Sequence, residues 1–479
     1  MIETACARVF LAGEVAYKVK RRVSLGYLDY STHDLRHWAL DRELSFNRAA
    51  APDIYRSVRR LTRIGEAGIE FDGPGELVDW VLEMRRFDEH AVLAAQPYAV
   101  DGPLAEALGR TVAAAHATAP RRPLGGGAAA LKYTIDSNAH LLGELASRFG
   151  VERVGRLIRL TEAAFHQQAA LLDHRKALGF ARQCHADLHL GNILVEDGRP
   201  ILFDCIEFND VLSDIDIQYD IAFLLMDLDF RRRRDAGVRV LSAYLDEAGR
   251  HFDEGLREGL AALPLMLSVR AAVRAHVSAH SSNEAAAIDY VDAAIAHLAP
   301  SSACLVAVGG LSGSGKSTFA RLIAPGLGAS PGAVVLRTDE TRKRLAGVPS
   351  AERLDATAYT ASATDQVYEA MFHEACVLLA AGRAVVLDAT FLSADLRARA
   401  EALATTAGVT FRGVWLDAPP EVLATRIEGR SDDASDATLA TLERQTRLDV
   451  GQVTWPRIDA TGPAEDSAQA WVADPAQAL

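Results

Sequence analysis

The chain runs to 479 residues, 49% hydrophobic and 24% charged. At roughly 100–200 residues per domain this allows about two to four domains with sizeable cores, and it excludes a mainly disordered chain. Lys and Arg number 51 against 64 Asp and Glu, a net charge of −13 whose overall field disfavours nucleic acid and anionic membrane but permits a local basic cleft for a phosphorylated ligand.

From the N-terminus, residues 9–11 and 15–19 flank a turn at Gly13 and predict a hairpin. Residues 31–34 have capping-box spacing and open a helix whose apolar stripe takes in Leu35, Trp38, Ala39 and Phe46, closed by Ala51, Pro52 and Asp53. Residues 100–299 predict mostly helix, broken by a Pro/Gly-rich loop at 120–127 and by short strands at 193–195 and 201–203. A small polar linker at 297–302 marks a boundary. Beyond it, 305–308, 334–337, 384–387 and 410–416 predict buried strands separated by helices, the alternation of a parallel α/β sheet. The expected division is 1–299 and 303–479. The five cysteines, Cys6, Cys184, Cys205, Cys304 and Cys376, lie far apart and read as reduced thiols. No apolar run approaches the ~18 residues of a membrane span and the N-terminus lacks a signal-peptide layout, so the expectation is a cytoplasmic protein with no membrane partner.

The first chemical constellation is His185-Ala-Asp187-Leu-His189-Leu-Gly-Asn192, followed after a short hairpin by Asp204. Asp187 and Asn192 have the spacing of the protein-kinase catalytic loop, H-x-D-x-x-x-x-N. Phosphoryl transfer asks a protein for positioning and charge neutralisation. Asp187 can orient an acceptor hydroxyl and take its proton, while Asn192 and Asp204 can hold Mg²⁺ against the phosphates. The bland reading is a His/Asp-rich turn between strands, and the complete order of H, D, N and D argues against it. His189 reads as a hydrogen-bonding loop residue, Glu207 as a carboxylate behind the metal ligands, and Asp220 as a brace.

This pattern resembles the aminoglycoside phosphotransferase branch of the kinase-like fold, and the likeness spans about residues 1–298. It implies an α+β fold with a small β-rich lobe and a helical lobe around an ATP site. Val15-Ala16-Tyr17-Lys18 resembles the strand that carries the phosphate-binding lysine. Lys18 is the expected lysine, Lys20 on the same strand face is its rival, and Glu43 is the expected partner. A surface lysine and a solvated carboxylate are the plain alternatives. No G-x-G-x-x-G lies between the first two strands, a feature this branch also lacks.

The second constellation is Gly310-Leu-Ser312-Gly313-Ser314-Gly315-Lys316-Ser317, which fits G-x-x-x-x-G-K-[ST] and is followed by Thr318. It lies between a predicted strand and a predicted helix. Backbone N–H groups there can curl around phosphate oxygens, Lys316 can reach the outer phosphates, and Ser317 can ligate Mg²⁺. Asp339 follows the second strand and Asp388 ends the third, at the carboxyl ends where open α/β sheets place ligands. Arg426 and Arg430 share a helix face before the polar stretch 431–436, the layout of an arginine lid. The plain alternatives are helix-capping aspartates and solvated arginines. Residues 303–479 resemble small P-loop kinases of the gluconate kinase, zeta toxin and chloramphenicol phosphotransferase type. That likeness implies an α/β P-loop kinase domain in which Asp339 contacts the acceptor hydroxyl.

Together these features predict two Mg-ATP sites in a phosphotransferase acting on a hydroxyl of a small metabolite such as a sugar. One working kinase joined to a nucleotide-sensing domain, or an ATP-hydrolysing switch, are the alternatives. Asp187 and Asp339, both acceptor-side carboxylates, favour transfer. The sequence assigns no oligomeric state.

Overall fold

The computed structural model describes residues 1–473 apart from 5, 26–27, 66–67, 281–282 and 430–434. The chain begins with β1 (Ile2–Glu3), β2 (Ala7–Ala12) and β3 (Val15–Lys20), then a short pair, β4 (Ser24–Leu25) and β5 (Leu28–Asp29). After α1 (His33–Arg48) come β6 (Tyr55–Ile64), β7 (Gly68–Phe71) and β8 (Leu77–Arg85). Six of these strands form one antiparallel sheet in the order β1-β2-β3-β8-β6-β7. The predicted hairpin is β2–β3, with Val9 opposite Lys18.

Thr32 caps α1, its side chain accepting the Leu35 N–H. The buried face of α1 is Arg36, Ala39, Leu40, Glu43 and Asn47; of the apolar stripe expected from the sequence Ala39 is buried, Leu35 and Phe46 are partly buried and Trp38 turns outward. Trp38 is 48% exposed, and Trp38 and Phe46 instead flank the Arg42 guanidinium, 4.9 and 4.7 Å from the ring centres. Polar residues occupy the inner face because each finds a partner there. Arg36 pairs with Asp79 at 2.9 Å, and Glu43 meets lysines of β3.

The helical lobe contains α2 (Gly102–Thr118), α3 (Gly127–Glu144), α4 (Ala146–Phe149) and α5 (Val151–Ala177). Next come β9 (Ala181–Gln183), the hairpin β10 (Ile193–Glu196) and β11 (Arg199–Leu202), α6 (Asp210–Ser213) and β12 (Asp214–Asp216), which pairs with β9. It ends with α7 (Ile217–Phe230), α8 (Arg234–Ala248), α9 (Leu263–His280) and α10 (Glu284–His297). Every residue of α7 from Ile217 to Leu228 is buried. The segment Glu258–His280 is long and apolar enough to cross a membrane, although the sequence suggested no such run; 67% of its apolar window is buried inside the fold. It serves as a core helix.

In the C-terminal part each strand is followed by one or two helices. Its elements are β13 (Cys304–Gly310), α11 (Lys316–Ile323), β14 (Val334–Arg337), α12 (Thr338–Leu345), α13 (Ala361–Ala380), β15 (Val385–Asp388) and α14 (Ala394–Ala407). They are followed by β16 (Thr410–Asp417), α15 (Pro420–Glu428), α16 (Leu439–Thr446), β17 (Arg457–Asp459) and α17 (Ala464–Ala473). The sheet is wholly parallel, in the order β14-β15-β13-β16-β17, and β13 is buried along its entire length. Edge strand β17 is three residues long and was not anticipated.

One contiguous apolar core runs through both parts, taking in Leu241 and Leu263 together with Leu305, Val334 and Met371. Charged contacts frame it. Glu106 of α2 accepts from Arg321 of α11 at 2.8 Å, Arg344 of α12 pairs with Asp246 of α8 at 2.6 Å and with Glu374 of α13, and Arg257 reaches Glu374 at 2.8 Å. Burial, together with the nearby Glu340 charge, raises the Asp246 carboxyl to about 6 against the pull of Arg344 and Arg250. The folded state therefore holds this proton more tightly than the unfolded chain, so the Asp246 contribution to stability is full below about pH 4 and lost as pH rises through about 6. Asp246→Asn is expected to match the wild type near pH 4 and to exceed it in stability at pH 7.5, because the neutral amide escapes the desolvation cost. Urea unfolding of both proteins across that range checks this; a variant that is less stable at pH 7.5 by the same margin as at pH 4 contradicts it.

Candidate functional site

In the N-terminal part, alternation along β3 points Lys18 and Lys20 to one face, where Glu43 of α1 meets both. Lys18 Nζ lies 2.6 Å from Glu43 Oε1 and 2.9 Å from Asp204 Oδ1, and Lys20 Nζ lies 2.7 Å from both Glu43 Oε2 and Glu207 Oε1. Burial works against the charge on each lysine, but for Lys18 the Asp204 and Glu43 carboxylates, and for Lys20 those of Glu43 and Glu207, hold the ammonium above its ordinary range. Burial also pushes Glu43 upward, and the two lysines overcome this and lower it. The choice between Lys18 and Lys20 thus divides by neighbour. Lys18 reaches the carboxylate expected to hold metal, while Lys20 is enclosed between two buried glutamates.

The loop 185–192 is held from behind. Asp220 of α7 accepts the His185 N–H at 3.1 Å and the Ala186 N–H at 2.7 Å, and Arg270 of α9 donates to the Ala186 carbonyl at 2.9 Å. These bonds hold Ala186 at φ 69°, a left-handed conformation costly for a residue with a Cβ. His185 Nε2 lies 2.9 Å from the Phe203 carbonyl, and the Phe203 N–H donates to the Asn192 carbonyl at 3.1 Å. These bonds set Phe203, the residue before Asp204, against Asn192. Asn192 donates through its amide to Asp187 Oδ2 at 2.9 Å, and His189 Nε2 sits 3.4 Å from the same oxygen. Burial raises the Asp187 carboxyl, yet the His189 hydrogen bond and the electrostatic pull of His189, His185 and Arg274 together outweigh it and leave the group below the ordinary carboxylate range. Asp204, itself at φ 58°, has its N–H bound by the Tyr55 hydroxyl at 3.0 Å, and its side chain is 49% exposed.

In the C-terminal part, a cavity of about 1180 Å³ opens over the carboxyl ends of β13, β14 and β15. That exceeds the roughly 300–1,000 Å³ usual for one small ligand. Its lining includes residues 312–318, Asp339, Asp388 and Arg426. Gly315 caps α11 at φ 86°, with nothing within 4 Å of where a Cβ would stand, so the cradle is open at that point. Gly310 lies beneath the cavity rather than in its wall, at φ 139°, where a Cβ would fall 2.5 Å from the Leu416 carbonyl oxygen. Lys316 Nζ donates to the Leu311 carbonyl at 2.8 Å, and the buried Ser314 hydroxyl has no hydrogen-bond partner. Arg426 spends its guanidinium on the carbonyls of Ala460, Thr461 and Gly462, at 2.7, 3.1 and 3.0 Å. Arg430 lies outside the described residues.

Three groups escaped the sequence reading. Gln445 of α16 accepts the Ser312 N–H at 2.9 Å, taking a loop donor with a neutral oxygen. Arg444, its neighbour, is exposed and lines the same cavity. Arg337, the last residue of β14, donates to Ser317 Oγ at 3.2 Å and to Asp388 Oδ2 at 3.1 Å. No motif marks the first two. Arg337 left a faint trace, an arginine closing a run of buried aliphatic residues. Ser317 and Asp388 thus converge on one cation, and a donor set of that kind fits Mg²⁺. Asp204 and Asn192 offer an oxygen pair in the N-terminal site.

Two family descriptions match the chain, "Phosphotransferase enzyme family" over residues 34–260 and "AAA domain" over 305–448. Two curated relatives, Rv2004c of Mycobacterium tuberculosis and Mb2027c of Mycobacterium bovis, both described as uncharacterized, are 32% identical over 483 residues, covering 97% of this chain and 93% of theirs. Among solved structures, M. tuberculosis APS kinase CysC in complex with AMPPNP and APS aligns at 22% identity over 36% of this chain and 97% of its own, with a TM-score of 0.27. A gluconokinase from Sinorhizobium meliloti aligns at 21% over 34% and 86%, with a TM-score of 0.25. Plasmodium vivax ethanolamine kinase aligns at 11% over 61% and 81%, with a TM-score of 0.36. With about a third of its residues shared along almost the whole length of both proteins, the chain belongs to the family of Rv2004c and joins a phosphotransferase domain to a P-loop kinase domain.

Proposed function

We propose that the chain is an ATP- and Mg²⁺-dependent phosphotransferase with two kinase-type sites, one in each of two domains that meet near residues 299–303, and that each passes a γ-phosphate to a hydroxyl of a small molecule. The observation that carries this is the meeting of Lys18, Glu43 and Asp204 within 3 Å contacts beside a loop on which Asp187 and Asn192 are hydrogen-bonded. These residues come from a strand, a helix and two loops, and a shared task in phosphate handling accounts for their meeting at one place.

In the N-terminal site Glu43 fixes the Lys18 ammonium, which can then reach toward phosphate oxygens without losing its orientation. Lys20 keeps Glu43 ionised when Lys18 turns to a phosphate. Asp187 remains ionised at neutral pH, orients the acceptor hydroxyl and receives its proton on a carboxylate oxygen as the oxygen–phosphorus bond forms. Asn192 and Asp204 would hold Mg²⁺, whose contribution when bound is to neutralise charge on the β- and γ-phosphates. In the C-terminal site the 312–318 backbone can cradle phosphates, Lys316 can leave the Leu311 carbonyl for them, and Asp339 stands in the cavity wall as the acceptor-side carboxylate. Ser317 and Asp388 would hold its metal. The cavity volume supports a nucleotide and an acceptor bound together.

Calorimetric titration of the full chain with MgATP is expected to give two sites in the wild type and one in Lys316→Ala. Asp204→Asn should also leave one, and the double variant none. A single wild-type site unaffected by Asp204→Asn removes the N-terminal assignment. Asp187→Asn keeps shape and removes charge, so MgATP affinity should move by less than about threefold while transfer falls by about 10²–10⁴. Phosphate transfer into a library of hydroxylated metabolites, run in the Lys316→Ala background, reads this out. Near-normal transfer in Asp187→Asn would sink the catalytic role.

A further inference from the structure

We propose that Arg337 occupies the metal position of the P-loop site in the free protein, so that a divalent cation enters only together with nucleotide phosphates. The inference rests on reading the P-loop as a Mg-nucleotide site. Arg337 is 4% exposed, and its guanidinium spans Ser317 Oγ at 3.2 Å, Asp388 Oδ2 at 3.1 Å and Glu340 Oε1 at 3.0 Å. The first two are the side-chain oxygens expected to take the metal. An arginine does not lose its proton in a protein, so this positive charge is permanent.

Two consequences follow from charge and geometry. A divalent ion bonded to Ser317 Oγ at about 2.1 Å would stand within a few ångströms of the guanidinium, where like charges repel strongly in a poorly screened site. Asp388 is also already satisfied, since Arg337 supplies the hydrogen bond that a buried carboxylate needs. Free metal therefore gains little from Asp388 and meets a resident cation. Triphosphate oxygens change the balance by adding several negative charges and further metal ligands. The guanidinium can then release Ser317 while keeping Glu340, which anchors it from the first turn of α12. Arg337 is thus a positioning residue that holds Ser317 and Asp388 at ligand spacing without a metal and makes metal entry depend on nucleotide.

The probe is Mn²⁺ added to the nucleotide-free full chain, with the free ion followed by electron paramagnetic resonance. The variants are Arg337→Met and Arg337→Gln, which are neutral, and Arg337→Lys, which keeps the charge, each alone and combined with Asp388→Asn. Any Mn²⁺ held by the N-terminal site is common to all of them and cancels. Both neutral variants are expected to bind one more Mn²⁺ per chain than the wild type, at least about tenfold tighter than any residual P-loop binding, and Asp388→Asn should abolish the gain. Arg337→Lys should behave as the wild type. Folded neutral variants with no added Mn²⁺ overturn the proposal, and so does a gain that survives Asp388→Asn. The wild type tests it without any substitution at Arg337, since Asp388-dependent Mn²⁺ binding in the absence of nucleotide as tight as that of the neutral variants also overturns it. MgATP titration of the wild type against Lys316→Ala keeps the two readings apart. If that pair differs as expected and no Mn²⁺ is gained, only the role of Arg337 falls; if it does not differ, the nucleotide site itself is lost.

Discussion

Buried charge must be paired, and the N-terminal site is arranged around that demand. Glu43 has no exposed surface and faces two lysines on β3, one of which faces a second buried glutamate. Desolvation makes each of these groups costly alone, and removal of any one leaves its neighbour unpaired in a medium of low polarity. The network therefore fixes α1 against β3 and ties both to the loop 204–207. Three carboxylates, Glu43, Asp204 and Glu207, face two ammonium groups. The excess negative charge falls toward Asp204, the member most open to solvent.

The P-loop site meets the same demand with a single residue. A buried Asp388 and the Ser317 hydroxyl sit at strand and helix ends whose backbone geometry is already set by the sheet, and Arg337 on the neighbouring strand supplies the missing cation. In the register, Arg337 is paired directly with Asp388, so parallel β14–β15 pairing alone brings the two side chains to one level. No loop has to be ordered for the contact to form.

The sequence was most legible where chemistry requires a fixed local spacing. Asp187 to Asn192 and Gly310 to Ser317 are continuous segments, and the backbone that serves them is built from the same residues that name them. Strands β13, β14 and β15 were legible because burial on both faces leaves an apolar run. The α1 face was read only in part because amphipathic periodicity assumes that apolar groups face inward, and here Arg36, Glu43 and Asn47 share the inner face with Ala39 and Leu40. Gln445 and Arg444 could not be found by spacing, since α16 reaches the phosphate loop only after the chain has crossed the sheet. Arg426 was found by spacing and then tied to the carbonyls of 460–462, a loop whose position no local pattern specifies.

The contact between the two parts has its own cause. β14 is an edge strand of the parallel sheet, and an edge exposes backbone N–H groups to any strand that can pair with them. Helix α8 closes this edge. Ser242 Oγ accepts the Val335 N–H at 3.1 Å, and Arg234 reaches the Pro331 carbonyl at 3.1 Å just before the strand begins. The next element, α12, continues the arrangement. Its first turn holds Arg337 through Glu340, and its last turn carries Arg344 to Asp246 of α8. A helix of eight residues is too short to bend, so its two ends cannot be set independently. The edge that needed covering, the residue that bridges Ser317 and Asp388 and the salt bridge to the helical lobe thus lie along one continuous run of chain, from Val334 to Leu345, and the geometry of each constrains the others.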